Sequence, residues 1–256
     1  MVRNSTRADW ESFWKRDRSV EEIYPASDSI LENLFAVTDV RGMRILEVGA
    51  GTGRNSIKLS EKGAHLTVLD YAENALNKVN QALENSDTSV DLVRGDGTVL
   101  PFEDESFDIV FHQGLLEHFH DPQPLLRENV RVLKKGGYLL IDVPQKYHGY
   151  TIIKHILIRV NKWFAGWETE FTIGGLRRLY SDNHLTITRE YGDWMVPSLF
   201  YRILRESCKL IGITLPMYPK SISLLGRLRK ACKSFLVKQP LSMYTFITIG
   251  IIGKKE

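Results

Sequence analysis

The sequence predicts an α/β protein built on a doubly wound, mostly parallel sheet. Three observations carry this. Short apolar runs alternate with helical periodicities from residue 44 to residue 143. The first run passes directly into a glycine-rich turn, Gly49-Ala50-Gly51-Thr52-Gly53. A second acid-tipped run, ending at Asp70, follows one helix later. Strand–helix alternation at this pitch places parallel strands between two layers of helices. Right-handed crossovers then bring all strand C-termini to one edge, where ligands bind in such folds.

The elements are expected in this order. Residues 44–48 form a buried strand and 55–62 a helix stopped at Gly63. A strand over 65–69 closes at Asp70, and 72–83 carries Ala75, Leu76, Val79, Ala82 and Leu83 at helical spacing. Strands follow at 90–93 and 107–111, a helix at 124–133, and a fifth strand at 138–143. Before them, residues 1–40 carry Trp10, Phe13, Trp14 and Tyr24 among charges and read as one or two capping helices. After Val143 the rhythm breaks. Residues 151–164 read as a cationic amphipathic helix, with Ile152, Ile153, Ile156, Leu157, Val160, Trp163 and Phe164 on the apolar face and Lys154, Arg159 and Lys162 elsewhere. It is expected as a lid with its apolar face over the pocket, a membrane-interface helix being the alternative. Further helices are expected at 174–181, 199–211 and 222–236, and strands at 185–191 and 243–252. The whole chain is expected to be one domain: a helical cap (1–40), a nucleotide-binding-type half (41–144) and a second half (145–256) with a helical insert at 195–240.

Composition narrows the classes. The 256 residues suit one large α/β domain, and 43% apolar with 25% charged residues is ordinary for a packed globule. Net charge is +3, yet the stretch 199–240 alone holds nine Lys/Arg against one acid, Glu206, so the remainder is net acidic. Such asymmetry points to an anionic surface or substrate, or to a solvated basic face. Cys208 and Cys232 have no metal-ligand or disulfide spacing, and no metal cluster is visible. No signal-type apolar stretch and no run of roughly 18–20 apolar residues is present, so a cytoplasmic protein is expected, with contact to the inner membrane face as an open addition.

The chemistry is concentrated at the glycine turn. Glycines allow a tight turn and close backbone approach to a ligand. A dinucleotide fingerprint needs a third small residue where Arg54 stands, and no Walker lysine is present. The pattern is instead Glu-x-Gly-x-Gly-x-Gly from Glu47. Asp70, at the tip of the second strand, can accept from ribose hydroxyls. Gly95-Asp96-Gly97 follows the third strand, and Leu116-Glu117-His118 follows the fourth.

On these residues, with Val68-Leu69-Asp70, Leu100-Pro101-Phe102 and Arg131–Gly137, the sequence resembles the class I (Rossmann-like) S-adenosylmethionine-dependent methyltransferases. Within them it is similar to the ubiquinone- and menaquinone-biosynthesis group. The resemblance covers residues 44–144. It implies a seven-stranded sheet with an antiparallel last strand inserted between the fifth and sixth, and S-adenosylmethionine as cofactor. It also implies that Glu47, Gly49, Ala50, Gly51 and Gly53 surround the methionine and ribose, that Asp70 holds the ribose and Tyr71 the adenine, and that Asp96 and Gly97 meet the adenine. Gln113 and Gly114 would meet the methionine moiety. It says nothing of the basic insert. Candidates for catalysis are His148 and Tyr147, past the fifth strand, and His118; Glu168 and Glu170 are candidate pocket residues. The expected acceptor is a small apolar or amphiphilic molecule, with no nucleic acid. A nicotinamide-dependent oxidoreductase and a nucleic-acid methyltransferase are the competing readings. The first is opposed by Arg54. The second is opposed by the absence of an Asn/Asp-Pro-Pro-aromatic sequence after strand four.

Overall fold

A computed structural model describes residues 6–15, 28–49, 51–84, 86–163, 167–194, 196–218, 235–236 and 239–256. The sheet has seven strands in the order β3-β2-β1-β4-β5-β7-β6. They are β1 (Arg44–Val48), β2 (His65–Asp70), β3 (Val90–Arg94), β4 (Phe107–Gln113), β5 (Leu133–Pro144), β6 (Leu185–Asp193) and β7 (Thr248–Lys255). β7 runs antiparallel between β5 and β6, and the pairs among β1 to β5 are parallel. The helices are α1 (Arg7–Trp14), α2 (Ser29–Phe35), α3 (Arg54–Ser60), α4 (Glu73–Leu83), α5 (Gln123–Val132), α6 (Gly149–Arg159), α7 (Ile173–Asp182) and α8 (Leu199–Leu210).

Strand alternation divides the core between the two faces. In β1, Leu46 and Val48 join one apolar cluster with Leu125 and Leu126 of α5 and Leu176 of α7. Ile45, on the other face, packs with Ile30 and Leu34 of α2 and Leu59 of α3. Each central strand is therefore buried on both sides, which is why these strands read as continuous apolar runs rather than as alternation.

Several boundaries differ from expectation. β4 extends to Gln113, and β5 begins at Leu133, so that Lys134–Gly137 lies inside the strand behind a register shift between Phe107 and Ile109. Lysines and glycines disguise that start, but Phe107–Leu133 pairing secures it. β7 starts at Thr248 rather than 243, because Pro240–Tyr244 forms a 3-10 turn. Gly250 and Gly253 weaken the strand signal there, yet both are required. A Cβ at Gly250 would stand 2.2 Å from the Tyr191 ring, and one at Gly253 2.4 Å from Tyr180. The expected helix at 222–236 lies almost wholly outside the described residues.

The largest correction concerns α6. It spans Gly149–Arg159 instead of 151–164, and it is turned the opposite way. Lys154, expected on the solvated face, is buried, whereas Ile152 and Ile156 are exposed. Lys154 faces inward because two carboxylates, Glu168 and Glu170, meet its ammonium at 3.0 and 2.9 Å. Among the described residues no helix is long and apolar enough to cross a membrane.

Candidate active site

The site forms where β1, β2 and β4 end. Gly49, Gly51 and Gly53 adopt φ of +66°, +57° and +62°, a region that L side chains rarely occupy. The loop is tied to the next strand: the Gly49 N–H donates to the Leu69 carbonyl (2.7 Å), and the Gly51 N–H donates to Asp70 Oδ2 (3.1 Å). Asp70 Oδ1 accepts from the Ala72 N–H (2.9 Å), so one carboxylate joins the glycine loop to the start of α4. Burial raises the Asp70 pKa to about 6, against the stabilising pull of those amides. Glu47, buried in β1, is raised by burial to about 7, and its Oε2 accepts from Ser56 Oγ at 2.6 Å.

A cavity of about 370 Å³ opens above this loop. Gly49, Asp70, Tyr71, Asp96, Gly97 and Gly114 border it. Glu47, Gly51, Gly53 and Gln113 do not border it; Gln113 Oε1 accepts from Asn55 Nδ2 at 3.2 Å. Ala50 lies outside the described residues. Asp96 is partly committed already, since its Oδ1 accepts from the Thr98 N–H and hydroxyl (2.8 and 2.7 Å).

The rest of the wall, His118 apart, was given no ligand-binding role by residue in the sequence, although Trp10 and Trp14 were placed in a helical cap. Trp10 and Trp14 of α1 close one side of the cavity. Glu11 holds α1 in place: its carboxylate accepts from the N–H groups of Glu73 (2.9 Å) and Asn74 (3.1 Å), at the open N-terminus of α4. Trp14 then lies so close to the loop that a Cβ on Gly51 would be 2.7 Å from its ring. Aromatic residues in a charged N-terminal stretch were the available signal, but their target was not legible.

Leu115, His118, Phe119 and His120 complete the wall on the far side, after β4. The His118 ring meets Trp10 edge-on at 4.8 Å, and His120 stacks on Trp167 at 3.8 Å. His118 Nδ1 is buried with no hydrogen-bond partner, and burial holds the imidazole below its ordinary pKa, against the opposing charge of Glu168. Of the three catalytic candidates, His118 is the one at the cavity wall. His148 instead caps α6, with Nδ1 accepting from the Tyr150 N–H at 3.1 Å, and Tyr147 is exposed. His112 is fully buried within β4 and is pushed down to about 3 by burial, so it stays neutral.

Glu168 and Glu170 do not border the cavity but lie just behind His118. Glu168 accepts from Trp163 Nε1 (2.7 Å) and Lys154, and Glu170 meets Lys154 and His155 Nε2. Glu117 completes this cluster. Its Oε2 is buried without a partner, and burial together with the Glu168 charge pushes its pKa well above the carboxylate range.

Comparisons with known proteins agree with this geometry. Residues 46–141 match the family model described as "Methyltransferase domain". A demethylmenaquinone methyltransferase of Clavibacter sepedonicus is 39% identical over 123 residues, covering 46% of this chain and 50% of that protein. The chain thus spans about half the length of the curated relatives it matches. Magnesium protoporphyrin IX methyltransferase of Synechocystis, solved with bound S-adenosylhomocysteine, superposes with a TM-score of 0.61 at 15% identity, covering 99% of this chain and 95% of that one. A [4+2]-cyclase superposes with a TM-score of 0.58 at 19% identity, covering 88% and 79%. That last likeness shows that the fold alone does not fix the reaction. Residues 46–141 thus resemble a methyltransferase domain, and the β3-β2-β1-β4-β5-β7-β6 sheet shares the fold of these solved structures.

Proposed function

We propose that the chain binds S-adenosylmethionine in the cavity above Gly49 and Asp70 and methylates a small, apolar or amphiphilic acceptor with a quinone-like ring. The carrying observation is the charge of the cavity. Among the described residues that line it are two carboxylates, Asp70 and Asp96, and no lysine or arginine. That suits a ligand bearing cationic groups and hydroxyls. It is poorly suited to the pyrophosphate of a nicotinamide dinucleotide, which needs donors and positive potential. The volume lies within the usual range for small-molecule sites, roughly 300–1,000 Å³. The demethylmenaquinone methyltransferases similar over 41–46% of the chain support a quinone-like acceptor.

The roles follow from the geometry. Each Asp70 oxygen accepts one backbone N–H and keeps a lone pair for a ribose hydroxyl. Gly49 presents bare backbone at the cavity floor. Trp10, Trp14, Leu115 and Phe119 exclude water. When bound, the sulfonium supplies an already activated methyl group, so the protein's main task is alignment. His118, the imidazole at the cavity wall, is the group that would take the proton from an acceptor hydroxyl that must lose one. The methyl group would pass to the acceptor as its bond to sulfur breaks, with the bonding pair staying on sulfur, and the acceptor's proton would go to His118.

Calorimetric titration of the intact protein with S-adenosylmethionine tests this reading. Micromolar binding is expected, weakened tenfold or more (about 1.4 kcal/mol) in Asp70→Ala. No binding by the folded protein would overturn it. The pH dependence has a definite sign. Asp70 accepts from hydroxyls best when ionised, and it ionises as pH rises through about 6. Affinity is therefore expected to rise from pH 5 to pH 7 and to flatten above, and Asp70→Asn should lose most of that slope. A flat wild-type profile over this range would mean that Asp70 does not touch the ligand.

A further inference from the structure

We propose that α6 and α8 together form a docking surface for an anionic lipid bilayer. The inference deepens the proposed function by naming the surface from which an amphiphilic acceptor is taken, and it rests on that reading for its purpose.

Three observations support it. First, α8 buries none of its residues. Phe200, Ile203 and Leu210 are 77%, 54% and 89% exposed, at spacings that place them along one stretch of helix surface. Second, α6 presents Ile152 and Ile156 to solvent, 67% and 58% exposed. This is not loose packing, because the opposite side of the helix is fastened by Lys154 to Glu168 and Glu170. The apolar row is held outward by a buried ion cluster. Third, the two helices lie near each other, with the Arg202 guanidinium of α8 within electrostatic range of the Tyr150 hydroxyl at the head of α6.

The charge beside these apolar residues selects the partner. Arg202, Arg205 and Lys209 border a cavity of about 430 Å³ between α8 and the chain at 214–218. Glu206 is the acid at its rim, and it is already paired with Arg205 at 2.8 Å. Three cations against one acid leave an excess of two positive charges. The adjoining sequence, 219–240, adds Lys220, Arg227, Arg229, Lys230, Lys233 and Lys238 and no acid. Exposed apolar side chains beside cations match an interface that is hydrocarbon below and phosphate above. A nucleic acid would use the cations but leave Phe200 and Leu210 in water.

The test is sedimentation of the full chain with vesicles of phosphatidylcholine, with and without phosphatidylglycerol. Binding is expected only with phosphatidylglycerol, and it should weaken with added salt. Arg205→Gln with Lys209→Gln should weaken it roughly tenfold or more, at about tenfold per 1.4 kcal/mol and on the order of 1 kcal/mol per basic residue. Phe200→Ser with Leu210→Ser should weaken it at least as much. None of the four residues is buried, so far-UV circular dichroism and S-adenosylmethionine titration should be unchanged. Docking and cofactor binding are thereby read separately. Equal binding to both vesicle types, binding indifferent to either variant pair, or retention on RNA but not on vesicles would each overturn the proposal. So would inorganic phosphate binding at the Arg205–Lys209 cavity without any vesicle association.

Discussion

Lys154→Met is expected to destabilise the region around the site by about 3–5 kcal/mol, the usual cost of removing one partner from a buried ion cluster. The Lys154 side chain is 4% exposed, and those of Glu168 and Glu170 are 6% and 7% exposed. Without the ammonium, two carboxylates are left in a poorly solvated space beside Glu117, whose buried Oε2 has no hydrogen-bond partner. They would have to take up protons or draw in water. If the whole fold shares the loss, the melting temperature should drop on the order of 10 °C for a domain of this size. If α6 opens alone, the loss should appear instead as faster hydrogen exchange of the amides at 150–159. Adding Glu168→Gln and Glu170→Gln to Lys154→Met should recover much of the stability, because it removes the uncompensated charge. A change below about 1 kcal/mol by both measurements would mean that water reaches the cluster. The surface proposed for lipid docking depends on the same residue, since Lys154 is what keeps Ile152 and Ile156 outward.

Gly51→Ala is expected to lower S-adenosylmethionine affinity by roughly a hundredfold, or about 3 kcal/mol. Two costs combine. Alanine at φ +57° carries a strain of about 1–2 kcal/mol. Its Cβ would also fall 2.7 Å from the Trp14 ring, so either the loop or α1 must move. Movement of the loop breaks the hydrogen bond from the Gly51 N–H to Asp70 and misplaces the carboxylate; movement of α1 opens the wall formed by Trp10 and Trp14. The sheet is untouched, so the variant should retain its far-UV spectrum while losing the calorimetric signal. Affinity within threefold of the unsubstituted chain would show that the loop adapts and that its close packing is not required for binding.

The parts of the site that were legible in the sequence are those built from one short segment each. Glu47 to Gly53 is a strand followed directly by a turn, and its glycines reflect backbone angles that the chain must adopt whatever packs around it. Asp70 is the residue at the end of the next strand, and parallel pairing of β1 with β2 brings it beside the loop in register. The element order, the parallel core and the position of Gly97 and Gly114 at the strand ends follow from the same local logic. Loose alternation marked a last strand at 243–252, and the resemblance added that it runs antiparallel between the fifth and sixth strands, which alternation alone does not reveal.

Contacts between distant segments were not legible. Trp14 closes over Gly51 and Trp10 meets His118 across about a hundred residues of sequence, through Glu11 docking on α4. His118 was separated from His148 and Tyr147 by where the turn after β4 and the chain after β5 come to rest. The orientation of α6 shows the physical reason most directly. Helical periodicity records which residues share a face; of the predicted apolar face, Ile152, Ile156 and Val160 are exposed together, while Ile153 and Leu157 are half-buried. Which face is covered depends on what the fold brings against the helix. Here the chain at 168–170 supplies two carboxylates whose attraction for Lys154 outweighs the burial of the isoleucine row. The sequence by itself therefore determined the sheet, the glycine turn and the acid beside it. Only the tertiary structure decided the aromatic wall, the histidine at the cavity and the outward face of α6, because each depends on a partner that local pattern does not contain.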